Sequence, residues 1–216
     1  MQFFERLEAV RERWNVLEHS FYQRWTRGEL LRDELVFYAG EYRHAVVALA
    51  DTVEATAQRV DPAARDELAQ HAADEAAHVA LWDEFVTALE GETERPALPE
   101  TLECVDAWTS SRDALEGLVA MYAIESGQPA ISQTKLDGLV EHYSMPEGPA
   151  TEYFSLHAEL DADHAAEARA MIEERIADED SERLLAVAEH VFRGNWILLD
   201  GVERGFQARG GQGSET

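Results

Sequence analysis

Leu68, His71, Glu75, His78, Trp82, Phe85 and Leu89 follow one another at alternating steps of four and three residues once the run is under way. That spacing lays them along one stripe of an α-helix, and a stripe rich in Leu, Trp and Phe must be covered by other elements. Ionisable groups therefore lie on a face destined for the interior. Phe154, His157, Asp161, His164, Ala168 and Met171 form a second stripe with three polar residues in its middle, and Leu115, Leu118, Tyr122 and Glu125 form a third. In a fourth, Tyr38, Glu41, Ala45 and Ala48 place Glu41 near the core edge.

The same period runs through almost the whole chain, and no stretch alternates with period two for long enough to make a strand, so the fold class is all-α. Helices are expected at roughly 2–26, 32–59, 62–90, 100–109, 111–126, 129–143, 149–177 and 181–207. Gly28, Asp61-Pro62, the Gly91 to Pro99 connection and Gly127 with Pro129 punctuate them. Residues 1–207 are expected to form a single helical domain. The tail 208–216 is expected to be disordered, because GGQGSET has no apolar residue to pack.

Charge removes several function classes. Asp and Glu number 44 against 18 Lys and Arg, a formal net charge of −26, which repels nucleic acid and anionic membrane surfaces. The acid is spread along the chain rather than gathered in a tail, as in a surface adapted to high salt. No run approaches the roughly 18 to 20 apolar residues of a membrane span, and the opening MQFFERLEAVRERW mixes charge into every turn, so a soluble, cytoplasmic protein is expected. With one cysteine, Cys104, any metal must be held by His and carboxylate. Lys135 is the one lysine among the basic residues.

A lone histidine on a core face is usually just hydrogen-bonded, but these stripes carry too many ionisable groups for that. Burying unpaired carboxylates costs several kcal/mol each, and they persist when paired, protonated or bound to a cation. Arginine is scarce on the stripes, and a pair of divalent metals supplies the missing charge with O and N ligands. Glu75 and His78 stand at i, i+3; His157, Asp161 and His164 stand at i, i+4, i+7, so each group can converge on one point. The order Glu41, Glu75-x-x-His78, Glu125, Asp161-x-x-His164 is also close to that of a ferritin-like di-iron bundle, which makes that bundle an alternative fold. His157 is a residue the ferritin-like pattern does not require.

Glu75-x-x-His78, Glu125 and His157-x-x-x-Asp161-x-x-His164 together resemble the haem-oxygenase-like di-iron oxidases, relatives of TenA and PqqC. More narrowly, LEHSFYQRWTRGEL, HVALWDEF, YAIESGQPAISQTKLDGL and EYFSLHAELDADHAAEA are similar to the CADD-type 4-aminobenzoate synthases. The resemblance implies a seven-helix fold around two metal ions, iron or iron with manganese, held by Glu75, His78, Glu125, His157, Asp161 and His164. Glu41 is a candidate additional carboxylate. It further implies oxygen activation with an external reductant, formation of 4-aminobenzoate, and use of the protein's own Tyr22 as ring source and Lys135 as nitrogen donor. A homodimer is expected, with its electron donor unidentified.

Two departures from the family pattern stand out. The spacing between glutamate and histidine in the third helix is shorter by about one turn, which leaves His71 as a substitute ligand. Ile124 stands before Glu125 where the group can carry tyrosine, leaving Tyr38, Tyr42 and Tyr122 as other ring sources or relays. Cleavage of an external fatty acid or amine, a metal-stabilised adaptor or ferritin-like protein, and TenA-like thiamin salvage through Cys104 are the competing functions.

Overall fold

The computed structural model describes residues 2–177 and 180–212. Among these, nine α-helical segments occur: α1 Phe3–Arg13, α2 Ser20–Trp25, α3 Arg32–Arg59, α4 Pro62–Ala88, α5 Pro99–Thr109, α6 Ala114–Glu125, α7 Gln128–His142, α8 Glu152–Arg175 and α9 Ser181–Gln212. The count exceeds seven because the first expected helix is split and the connection after α4 carries the short α5.

The split is a correction to the expected helix over 2–26, and its cause is local. The Asn15 side chain accepts the Leu17 amide and starts the 3-10 turn Val16–Glu18; the His19 ring then accepts the Phe21 amide and starts α2. Side chains that bond nearby backbone compete with a continuous helix in this way. Elsewhere the boundaries follow familiar signals. Asp61 caps α4 by accepting from the Ala63 amide, with Pro62 at its first position, and Asp113 caps α6 by accepting from the Glu116 amide. At the far end, α9 continues to Gln212, so the helix extends past the expected boundary at 207, while 213–216 lie outside the described residues.

Helix α3 packs along α4 and also touches α5 and α6; α8 lies against α4, α6 and α7; α9 covers α1, α5 and α6. The stripes foreseen on α4, α6 and α8 thus meet in one interior. A close approach sets part of this geometry: a Cβ at Gly117 would run into the side chain of Thr56, so α6 nests against α3 only because position 117 is glycine. The N-terminal end of α6 is tied down by Glu116, buried and held at a pKa of about 2 chiefly by its hydrogen bonds to Arg112, with Arg183 adding to them. No described helix is long and apolar enough to cross a membrane.

Candidate metal centre

His71, Glu75, His78, Glu125, His157 and Asp161 are all buried, and the His164 side chain is 13% exposed. They come from three helices, α4, α6 and α8. His71 stacks on His164 with ring centres 3.9 Å apart, and His78 meets His157 edge-on at 4.6 Å. The earlier histidine of α4 meets the later one of α8, as antiparallel helices require. Each helix carries the same pattern, His71-x-x-x-Glu75-x-x-His78 and His157-x-x-x-Asp161-x-x-His164. A local two-fold axis between the helices would exchange the two histidine contacts.

Two groups of potential ligand atoms result, each drawn together within 4.8 Å: His71, Glu75 and His164, and Glu75, His78 and His157. Glu75 belongs to both. Its Oε1 accepts from His78 Nδ1 at 3.0 Å and stands 3.8 Å from His71 Nε2, while its Oε2 is 3.9 Å from His157 Nε2. Asp161, the counterpart of Glu75 under the two-fold, is one methylene shorter; its Oδ1 lies 3.9 Å from His164 Nδ1. From α6, Glu125 brings Oε1 to 3.0 Å from His71 Nε2.

The donor set fits a divalent metal pair. Both oxygens of Glu125 and of Asp161, Glu75 Oε2, His71 Nε2, His157 Nε2 and His164 Nδ1 are buried with no hydrogen-bond partner. So many orphaned acceptors in one interior would each cost on the order of 1–3 kcal/mol unless a cation satisfies them. His157 Nδ1 lies 2.7 Å from the Tyr153 carbonyl, a contact it makes as donor, which leaves Nε2 with its lone pair facing inward. Burial lowers the pKa of His71, and burial with the His71 ring brings His164 down to about 4, so both rings are neutral and able to ligate at neutral pH.

Electrostatics distinguishes the carboxylates. Burial drives the Glu125 and Asp161 carboxyls well above the usual range, reinforced for both by the charge of Glu75. Burial would raise Glu75 too, but the His157 and His78 imidazoles outweigh it and hold its pKa well below the usual range. A site in which carboxylates crowd together without cationic side chains is one that positive charge stabilises strongly.

Glu41 is not gathered with the others. Its Oε2 accepts from the Leu98 amide at 3.0 Å and from Thr101 Oγ1, and its Oε1 lies 3.0 Å from Arg95 Nε. It pins the connection between α4 and α5, and its carboxylate is turned to these groups and away from the other candidates. His71, foreseen only as a substitute, is brought into the centre. The repeated His-x-x-x-carboxylate-x-x-His pattern of α4 and α8 was the signal that could have included it.

Tyr22 and Lys135 share a second buried cluster. Lys135 Nζ has no hydrogen-bond partner and lies 4.3 Å from the Tyr42 ring centre, 5.5 Å from Trp82, 5.6 Å from Phe154, 5.7 Å from Tyr38 and 5.8 Å from Tyr22. Burial lowers the amine to a pKa of about 7, with Asp161 opposing. The Tyr22 and Tyr38 hydroxyls are hydrogen-bonded at 3.1 Å. Tyr153, which sequence reasoning did not single out, stacks on His157 at 3.9 Å and meets Trp82 at 4.9 Å, spanning the two clusters. Tyr122 lies apart, with its ring on Phe4 and its hydroxyl donating to Glu8 at 3.4 Å. Cys104 is fully buried, and burial pushes its thiol up, which opposes a nucleophilic role.

Comparison with known proteins adds fold and family. A 4-aminobenzoate synthase of Chlamydia muridarum (strain MoPn / Nigg) is 31% identical over 212 residues, covering 93% of this chain and 89% of the relative. One from Nitrosomonas europaea is 30% identical over 229 residues, covering 95% and 93%. Among solved structures, a TenA homologue from Pseudomonas syringae pv. tomato superposes with a TM-score of 0.81 at 16% identity, over 94% of this chain and 93% of that one. A Shewanella denitrificans domain described as having a heme oxygenase-like fold gives 0.79 at 17% identity, over 96% and 94%. These likenesses establish the haem-oxygenase-like fold over the ferritin-like alternative. A family model described as iron-containing redox enzyme matches residues 36–196, a span that holds every group of the orphaned donor set. The chain belongs to this family of iron-containing redox enzymes.

Proposed function

We propose that the chain is a 4-aminobenzoate synthase that uses two metal ions, both iron or iron with manganese, together with dioxygen and an external reductant. In this reading Tyr22 supplies the ring and Lys135 the nitrogen. The observation that carries it is the confinement of the chain's one lysine, its amine lowered by burial to a pKa of about 7, among the rings of Tyr22, Tyr38 and Tyr42. The names borne by the relatives from Chlamydia muridarum and Nitrosomonas europaea support the choice of product.

His71, Glu75, His78, Glu125, His157, Asp161 and His164 would hold the metals, with Glu75 placed to serve both. Bound iron would supply the oxidising chemistry that no side chain offers. The chain's own residues do the rest. The aromatic wall around Lys135 excludes water and lowers the amine's pKa to about 7, so that about half of it is unprotonated and nucleophilic near neutral pH. The Tyr22 and Tyr38 hydroxyls hold a proton between two oxygens 3.1 Å apart, which orients the Tyr22 ring. Tyr153 links this cluster to His157 through stacked rings.

Cells grown on ring-labelled tyrosine provide the test. The purified protein, given iron, reductant and oxygen without added substrate, should release labelled 4-aminobenzoate and lose mass. Lys135→Arg keeps a positive charge but, with a pKa above about 12, offers no free amine; it should bind iron normally and yield no product. Tyr22→Phe should behave likewise. Unlabelled product, or product seen only after an external acid or amine is added, would move the reaction to an external substrate.

A further inference from the structure

Away from the metal centre, a cavity of about 230 Å³ opens between α1, the 3-10 turn, the start of α7 and α9. Its apolar wall includes Trp108, Ile124, Ile131 and Phe192; its polar wall includes Arg11 and Asn195. Cavities of about 150 Å³ lined by aliphatic and aromatic side chains accept benzene. The larger volume leaves room for a ring with a substituent at each end.

The polar groups say which substituents. Asn195 is nine-tenths buried, and its carboxamide oxygen has no hydrogen-bond partner. An acceptor left unmade in such a place calls for a donor. Arg11 favours an anion; the first turn of α7 adds little, because Pro129 has no amide hydrogen and the carbonyl end of α6 abuts it. Arg11 Nη1 donates to the Ser126 carbonyl at 3.1 Å and Nη2 pairs with Glu8 at 2.5 Å, which fixes the guanidinium and leaves Nε free of both. Glu12 also borders the cavity; it is exposed and the Arg11 side chain is 37% exposed, so water screens both charges and leaves the directed hydrogen bond from Nε as the recognition element.

The cavity also lies next to the tyrosine and lysine cluster. Ile131 precedes Lys135 by one helical turn on the same side of α7. Gln128, next to the lining Gly127, donates Nε2 to the Tyr42 hydroxyl at 3.3 Å, and the Tyr42 ring centre is 4.3 Å from Lys135 Nζ. One layer of side chains therefore separates the cavity from the amine.

We infer that this cavity is a binding site for a small aromatic carboxylate that also carries a hydrogen-bond donor, and that it holds 4-aminobenzoate on its way out. The amino group donates to Asn195, the ring lies among Trp108, Ile124, Ile131 and Phe192, and the carboxylate faces Arg11. In a chain of net charge −26, with Glu8 paired to the guanidinium, directed hydrogen bonding from Arg11 and not net positive charge is what retains the anion. The choice of ligand rests on the functional reading above; the shape and polarity of the site do not.

Calorimetric titration of 4-aminobenzoate, benzoate and aniline into the purified protein tests it without turnover. Saturable 1:1 binding of 4-aminobenzoate is expected, with benzoate about tenfold weaker because it lacks the donor, a factor equivalent to one hydrogen bond. Asn195→Leu should bring 4-aminobenzoate down to the level of benzoate and leave benzoate unchanged. Arg11→Met should weaken both acids and spare aniline. Ile124→Trp should fill the cavity and abolish binding. Equal affinity of the wild-type protein for 4-aminobenzoate and benzoate, or no saturable binding, overturns the inference even if every variant fails to fold. If labelled product forms but does not bind here, the inference falls and the functional reading stands. If binding follows this pattern but the protein makes no labelled product, the site stands and the functional reading falls.

Discussion

A lysine whose amine has no hydrogen-bond partner and faces five aromatic rings titrates at about 7 instead of 10.5, because burial penalises the ammonium. Between those values the unfolded chain holds a proton that the folded chain has lost, so the contribution of Lys135 to stability rises with pH across that window. Below about pH 7 the penalty is fully present. Lys135→Met should therefore stabilise the iron-free protein at pH 6, by on the order of 2–4 kcal/mol, and by much less at pH 10. Urea midpoints of variant and wild type at the two pH values measure this; an equal difference at both would show that the amine is not desolvated. Glu41 and His71 make a second contrast at this scale. His71→Ala should lower bound iron with little change in helix content. Glu41→Gln should leave iron in place and cost roughly 1–3 kcal/mol, because Arg95 loses its carboxylate. Iron lost from Glu41→Gln and kept by His71→Ala would reverse the two assignments.

Helices α4 and α8 act as a matched pair, each contributing one His-x-x-x-carboxylate-x-x-His run to an antiparallel contact. Their equivalence ends at the carboxylates: Glu75 is long enough to reach histidines of both groups, while Asp161 stops short and lies within the field of Lys135. Asp161→Ala should lower the metal content while far-ultraviolet circular dichroism stays close to wild type, since the stripe around it is already apolar; unchanged iron stoichiometry would remove Asp161 from the ligand set. Helix α6 delivers Glu125 against His71, and its seat depends on Gly117 against Thr56. Alanine is the better helix former by about 1 kcal/mol, yet Gly117→Ala should destabilise by roughly 1–3 kcal/mol because the added methyl meets a buried side chain. A thermal midpoint equal to or above wild type would show that α3 and α6 can part at no cost.

A net charge of −26 on 216 residues puts strong self-repulsion on the molecule as a whole. Local ion pairs such as Arg24 with Glu34 and Arg43 with Asp83 neutralise part of it, but the acids outnumber the basic residues by more than two to one. The Debye length falls from about 30 Å at 0.01 M salt to about 3 Å at 1 M. Thermal stability should accordingly climb with KCl over that range. A flat profile would mean that the acidic surface is not under strain in dilute buffer.

The interior stripes of α4, α6 and α8 were legible in the sequence because helical periodicity is a local property: steps of three and four put His71, Glu75 and His78 on one side whatever the rest of the chain does. The lone lysine was legible in composition, and most helix boundaries in caps and breakers, though not the break at Asn15 and His19 or the end of α9. What the sequence left open depended on groups far apart along the chain. Glu41 stands on a stripe like the other candidates, but Arg95 and the Leu98 amide, which reach it from the connection after α4, hold its carboxylate apart from them. The place of His71 in the centre follows from the antiparallel crossing of α4 and α8, which brings it against His164; a stripe shows which residues face inward but not which partner they meet. Local spacing determined the candidates, and only the tertiary packing determined which of them meet, because pairing energy belongs to distances across the fold.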